Sequence, residues 1–279
     1  HIGRKDTVMT LGAAAKVMLT VMDSTRKGYD MEYTFLEFVS DDQIKSEAQN
    51  LVGQATDILN DATVGTTIRF RTDQCGKIIK YYNLKDIRKQ AKEVLTKAIS
   101  KMPYADSLRA VGLDPDKLMS MIDSDNLVDG YTEEIELLFN YHGGQYKIGE
   151  TESHEDATGN EYASDTKTDI WLDPDTYEYG ISADVYSHIP REDIKALLGN
   201  LIEYFTDEES AKDVREGLDT EFDNQVTTDG VYNSYVRISY FNDGWPQEVV
   251  SQDNISLGDR QKLTQKYITW DYRSVGHSE

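Results

Sequence analysis

The sequence predicts an α+β fold, a curved antiparallel sheet built from hairpins with helices packed on one face. Three observations lead there. Short β-rich runs alternate with turn residues, as in Thr67 to Asn83, where Ile68 and Phe70 alternate with Arg69 and Arg71, Asp73 to Gly76 supplies the turn, and Ile78 to Tyr82 returns. Other stretches carry apolar residues at three-and-four spacing, the mark of a helix with one buried face. Helices also fall between groups of strands rather than after each one, which favours an antiparallel sheet over a doubly wound one.

In chain order, Val17 to Val21, with Thr7 to Leu11 before it, and Tyr29 to Val39 read as strands joined through Asp23 to Gly28. Ser40 then caps a helix whose Ile44, Ala48, Leu51, Val52, Ala55, Ile58 and Leu59 form one face, with Gly65 at its exit. After the 67–82 hairpin, Asn83 is the N-cap of a long helix that buries Leu84, Ile87, Ala91, Val94 and Leu95 and stops at Pro103. Asp114 and Pro115 open a shorter helix, and another from Thr132 turns Ile135, Leu138 and Phe139 inward before Gly143 and Gly144.

Tyr146 to Ile148 is a short strand candidate, and the acidic stretch Glu150 to Thr166 is expected to be a mobile loop. Ile170 to Leu172 and Tyr177 to Tyr186 form a hairpin about Asp173 to Thr176. Pro190 opens a helix striped with Ile194, Leu197, Leu198, Leu201, Ile202 and Phe205, and Thr206 with Glu209 has the spacing of a capping box for a helix through Leu218. Four strands close the chain: Phe222 to Thr227, Val231 to Phe241, Trp245 to Ser251 and Leu263 to Tyr272. The expected organisation is a single α+β domain over 1–279, with 1–145 and 146–279 as two subdomains of similar size for its alternative.

Composition narrows the partners. With 29 basic and 51 acidic side chains, a net charge of −22 repels phosphate backbones and anionic lipid surfaces, so neither nucleic acid nor a membrane surface is an expected partner. No run of about 18 apolar residues is present to span a bilayer. The chain starts at His1 rather than Met, which fits a processed product whose signal peptide or lipid-anchored leader has been removed.

Few residues carry recognisable chemistry. One cysteine, Cys75, excludes an intramolecular disulfide framework and a Cys-rich zinc site, and with Arg71 and Lys77 as its near basic neighbours it reads as a spectator thiol. The five histidines, His1, His142, His154, His188 and His277, show no i, i+3 or i+4 pairing. Asp123 to Gly130 has the acidic spacing of a calcium loop at its start but places Leu127 and Val128 where a ligand and a glycine are required, so it reads as a polar interhelical turn. Glu150, Glu152, Glu155, Asp156, Glu161 and Asp165 gather carboxylates that would hold Ca²⁺ only weakly. Trp171, Trp245 and Trp270 fall on expected strands, where packing is their ordinary role and lining a groove the other. The P-loop, dinucleotide, nucleophile-elbow and H-E-x-x-H strings are all missing, so no catalytic residue, metal site or cofactor is assigned.

Three stretches together resemble a known group: Asp23 to Tyr29 at the first hairpin, Arg71 to Gly76 leading to Asn83 and Ile87, and Phe241 to Pro246 with its G-W-P turn. They are similar to uncharacterised exported proteins, periplasmic or surface lipoprotein-like, of Bacteroidetes-type bacteria. The resemblance implies an extracytoplasmic location and brings no reaction and no catalytic residue. The expected function is therefore noncatalytic binding of a hydrophobic small molecule or a protein partner, with a carboxylate-dependent glycan hydrolase as the alternative.

Overall fold

Met31, Tyr33 and Phe35 alternate with Glu32 and Thr34, and this period of two lays the first apolar face onto which the neighbouring elements pack. A computed structural model describes residues 13–40, 63–100, 124–158, 162–205 and 220–274, together with 215 and 217. The chain divides into two compact units, His1–Gly143 and Gly144–Glu279.

In the first unit, β1 (Ala13–Thr25), β2 (Gly28–Ser40), β3 (Thr67–Thr72) and β4 (Ile78–Tyr81) form an antiparallel sheet in that order. Gly28 has φ 131°, and a Cβ there would overlap the Thr72 carbonyl, so the first turn admits no side chain. The core is filled. Met31, Tyr33, Phe35, Ile68 and Phe70 are all buried, as are Ile87 and Ala91 of α1 (Leu84–Ser100) and Ile135, Leu138 and Phe139 of α2 (Ser124–Phe139). Phe70 meets Phe139 edge to face at 5.6 Å, and α1 packs against both α2 and β3. Each of these large side chains contributes roughly 1.5–3 kcal/mol by leaving water. Burial and the charge of Glu134 push the Tyr33 hydroxyl far up from its ordinary pKa, so it stays neutral.

Asn83 does something other than cap with its side chain. Its carbonyl accepts the Asp86 and Ile87 N–H groups and so starts α1. Its side-chain amide turns back to β3 instead, accepting from the Arg69 N–H at 2.9 Å and donating to the Thr67 carbonyl at 2.8 Å. After β4 ends, the amide supplies the pair of bonds that a further strand residue would have made.

The second unit is a six-stranded antiparallel meander. It comprises β5 (Gly149–Glu155), β6 (Ser164–Leu172), β7 (Tyr179–Ile189), β8 (Gly230–Tyr240), β9 (Pro246–Leu257) and β10 (Arg260–Thr269) in the order β10-β9-β8-β7-β6-β5. Helix α3 (Arg191–Phe205) lies between β7 and β8 in sequence. Ile181, Ile238 and Val249 are neighbours in register and buried, and Tyr240, also buried, stacks on Tyr179 at 4.8 Å. Arg191 ties the start of α3 to the chain that follows: its N–H donates to Asp229, its Nε to the Val226 carbonyl at 2.6 Å, and its guanidinium to Asp223, which also accepts from Lys195 at 2.9 Å.

This architecture overturns the α+β expectation of one sheet with helices on one face. Strand outweighs helix among the described residues, and there are two antiparallel sheets, of four and six strands. The strands outrun the apolar runs that mark them, because ladder hydrogen bonds between backbones do not depend on side-chain polarity. Thus β1 extends from Ala13 to Thr25 around Val17 to Val21, and the acidic Glu150 to Thr166 stretch is largely the β5–β6 hairpin rather than a loop. Residues 220–225 are helical rather than a strand: Phe222 and Val226 share a face in either element, and here the Val226 N–H closes a helical turn onto the Phe222 carbonyl at 2.8 Å. Residues 124–130 belong to α2 rather than to a turn, and 146–148 form no strand. The helices expected at 41–60 and 114–122 and the strand at 7–11 lie outside the described residues, as does the helix expected at 206–218 apart from 215 and 217, which are helical.

Candidate functional site: the open face of the six-stranded sheet

Alternation along β5 to β10 turns Ile181, Ile238 and Val249 to the covered face and sends a polar and aromatic set to the other. Near the β6–β7 turn Trp171 lies across Gly180, its direct cross-strand partner; a Cβ at Gly180 would overlap the indole. Gly180 is a glycine so that the ring can lie flat on the sheet. The Arg237 guanidinium stands over the same indole at 6.0 Å from its centroid, the geometry of a cation–π contact. Three apolar or aromatic side chains stand out from this face: Tyr186 on β7, and Leu263 and Tyr267 on β10, which are 47, 59 and 61% exposed.

Diagonal and direct cross-strand bonds hold the polar groups in place. Tyr267 donates to Glu248 at 2.9 Å, Asn233 to Asp184 at 2.5 Å, and Gln261 to Asn254 at 2.8 Å. Lys167 pairs with Glu150 at 3.3 Å. His154 Nδ1 meets its cross-strand partner Asp165 at 2.7 Å, with Asp156 at 3.4 Å from Nε2. The Asp165 carboxylate raises the His154 pKa above the ordinary imidazole value, and the bond to Glu248 raises that of the Tyr267 hydroxyl. The face carries Glu150, Glu152, Asp165, Asp169, Asp184 and Glu248 against Lys167 and Arg237, so its field is negative and suits a cationic surface.

The open face of the first sheet is tied more tightly. Tyr82 donates to Asp30 at 2.6 Å, Arg71 to the same carboxylate at 2.5 Å, and Arg69 to Glu32 at 2.9 Å. The Tyr82 hydroxyl, then Arg71, hold the Asp30 carboxyl below its usual range. Beside it, Val64 to Thr67, Arg69, Asn83, Asp86, Ile87 and Gln90 line an open hollow of about 460 Å³. Asp86 is the single carboxylate in that lining, and the walls are largely polar.

The residues singled out from sequence are dispersed. Cys75 is exposed in the β3–β4 turn, where its N–H donates to Asp73. His142 packs at a tilt against Phe139 and covers Gly76, while His188 is exposed on β7. Trp270 donates its indole N–H to the Pro246 carbonyl at 2.6 Å, and Trp245 closes the β8–β9 turn by accepting from the Phe241 N–H. The expected loop carboxylates are spread along a hairpin: Glu150 and Glu152 take one face of β5 and Glu155 the other. Among the described residues no group of three or more His, Cys, Asp or Glu is placed to hold a metal ion. His1, His277, Asp123 and Glu161 lie outside the described residues. The Gly180–Trp171–Arg237 group was not found from sequence, although a lone glycine inside a strand pattern is the signal that points to such a close approach.

No helix among the described residues is long and apolar enough to cross a membrane. Comparison with protein families, curated proteins and solved structures finds no match to this chain.

Proposed function

We propose that this chain is a noncatalytic, extracytoplasmic binding protein that takes a protein partner on the open face of the six-stranded sheet. The observation that carries this reading is the Trp171–Arg237 stack on Gly180, on the same sheet face as the exposed Tyr186 and Tyr267 and within a negative field. Aromatic anchors set among fixed polar groups on an open surface match the make-up of protein interfaces, and the excess of carboxylates selects a partner with a basic patch. The location outside the cytoplasm rests on the resemblance to exported proteins.

The other ligands considered find less support. A hydrophobic small molecule needs a concave, apolar site, and the 460 Å³ hollow beside β3 is polar. Glycan hydrolysis needs two carboxylates across a cleft. The hollow holds one, and Glu150 and Asp169, though cross-strand partners, sit on an open face with Glu150 65% exposed.

The test is photocrosslinking on intact producing cells, with the crosslinking residue placed at Tyr186 or Tyr267 and, as a control, at Tyr177, which is 67% exposed in the β6–β7 turn. Adducts of one discrete mass are expected from the two face positions and none from the control. They should disappear when Asp169→Lys and Glu248→Lys are combined. A stoichiometric small molecule in the native mass spectrum, with no adduct from the face, would overturn the reading.

A further inference from the structure

The six-stranded sheet ends on two strands of opposite charge. At one edge β10 makes ten consecutive pairs with β9 without a register shift, and its side chains include Arg260, Lys262 and Lys266 but no carboxylate. At the other, β5 makes seven consecutive pairs with β6 and carries Glu150, Glu152 and Glu155, followed by Asp156. Both strands are mainly exposed, and among the described residues each has a strand neighbour on one side only. A strand in this position presents an unmatched row of N–H and C=O groups that another strand can complete. In a chain of net charge −22, a ten-residue edge bearing bases alone departs from the rest of the surface.

We propose that copies of this chain associate edge to edge, β10 of one against β5 of the next. Like edges repel: β10 against β10 sets bases together, and β5 against β5 sets carboxylates together. Only the unlike contact attracts. Register sharpens it. Arg260, Lys262 and Lys266 share the face of Val249 and Ile238, whereas Glu150 and Glu152 share the opposite face with Asp169 and Lys167. A neighbour turned over by a half-rotation about the axis across the strands brings those charges to one face, with β10 running parallel to β5. Aligning Arg260 with Glu150 then sets Lys262 beside Glu152 and Lys266 beside Asp156, since each step of two residues keeps the face. The contact is heterologous, so each copy offers one edge of each kind and the assembly is open-ended unless its rotation closes a ring.

Sedimentation of the full chain over a range of concentrations tests this. The expected result is mass above 31.7 kDa that rises with concentration at low salt and returns to that of one chain as salt is raised. Arg260→Glu with Lys262→Glu, and separately Glu150→Lys with Glu152→Lys, should each weaken association at least about tenfold, because two of the three charge pairs in the contact then set like charges together and only Lys266 beside Asp156 stays unlike. Mixing the two variants should restore it as an alternating assembly. An unfolded variant could not do so, which separates loss of the contact from loss of the fold; this matters at Arg260, which also bonds Gln225 within the chain. A wild-type chain that stays single at low salt, variants that assemble as the wild type does, or a mixture that fails to assemble would each overturn the proposal.

Discussion

The two sheets protect their edges in different ways. In the four-stranded sheet the pairing is broken by register shifts at Lys16/Val17 and Val21/Asp23, so the regular part of the β1 edge is Val17 to Val21, and that part is apolar. In the six-stranded sheet the only register shift among the described residues of β5 to β10 falls at Ser239/Tyr240, and its long, regular edges are charged. Bulges bend a strand and end its usefulness as a template; charge leaves the template intact but selects what can pair with it. Geometry guards the edge that is apolar, and charge guards the edges that are regular.

The largest expected effects break the two cores. Phe70→Ala should cost about 3–5 kcal/mol and Ile238→Ala about 2–5 kcal/mol in denaturant unfolding, since both side chains are fully buried. Phe70 should be the costlier because it joins β3 to Phe139 of α2. A loss below about 1 kcal/mol for Phe70→Ala would contradict its burial in the first core.

Next in size come two turns with the same aspartate chemistry. Asp73 accepts the Cys75 and Lys77 N–H groups and Asp173 accepts those of Asp175 and Thr176, but the left-handed position is Gly76 in one turn and Tyr177, φ 60°, in the other. Gly76→Ala should destabilise by about 1–2 kcal/mol, since φ is +84° and a Cβ would strike His142. Tyr177→Asn should instead stabilise by about 0.5–1 kcal/mol, as asparagine tolerates that conformation and the ring it removes is mostly exposed. Equal effects of the same sign on the thermal midpoint would refute the assignment of strain to Tyr177.

The smallest effect is a titration. The Asp165 carboxylate raises the folded pKa of His154 above its unfolded value, so the contribution to stability is fully present below the ordinary imidazole pKa and is lost as pH rises through the folded one. Ring proton shifts followed by NMR should show the His154 midpoint fall in Asp165→Asn. An unmoved midpoint would remove Asp165 as the cause.

Local patterns were legible where one residue decides one feature. The turns at Asp73 to Gly76 and Asn242 to Gly244, the inward face of α2 through Ile135, Leu138 and Phe139, and the start of α1 after Asn83 all follow from the sequence. The role of the Asn83 side chain did not, because nothing nearby in sequence announces that Thr67 and Arg69 would lack a strand partner there. The β5–β6 hairpin was hidden for a related reason. Gly149 to Glu155 has no apolar alternation, and its strand is held by pairing with residues such as Asp165 and Ile170.

By itself, then, the sequence determined the acidic charge, the turns and the inward faces of α1 and α2, because dihedral preference, charge and periodicity act over a few residues; the stripe on α3 leaves Leu197 59% exposed. Tertiary structure alone decided that strands would outweigh helices, that Trp171 and Arg237 would meet over Gly180, and that a basic strand and an acidic one would become the two edges of one sheet. Those outcomes depend on which strands pair and in what register, and that choice rests on contacts between residues far apart in the chain.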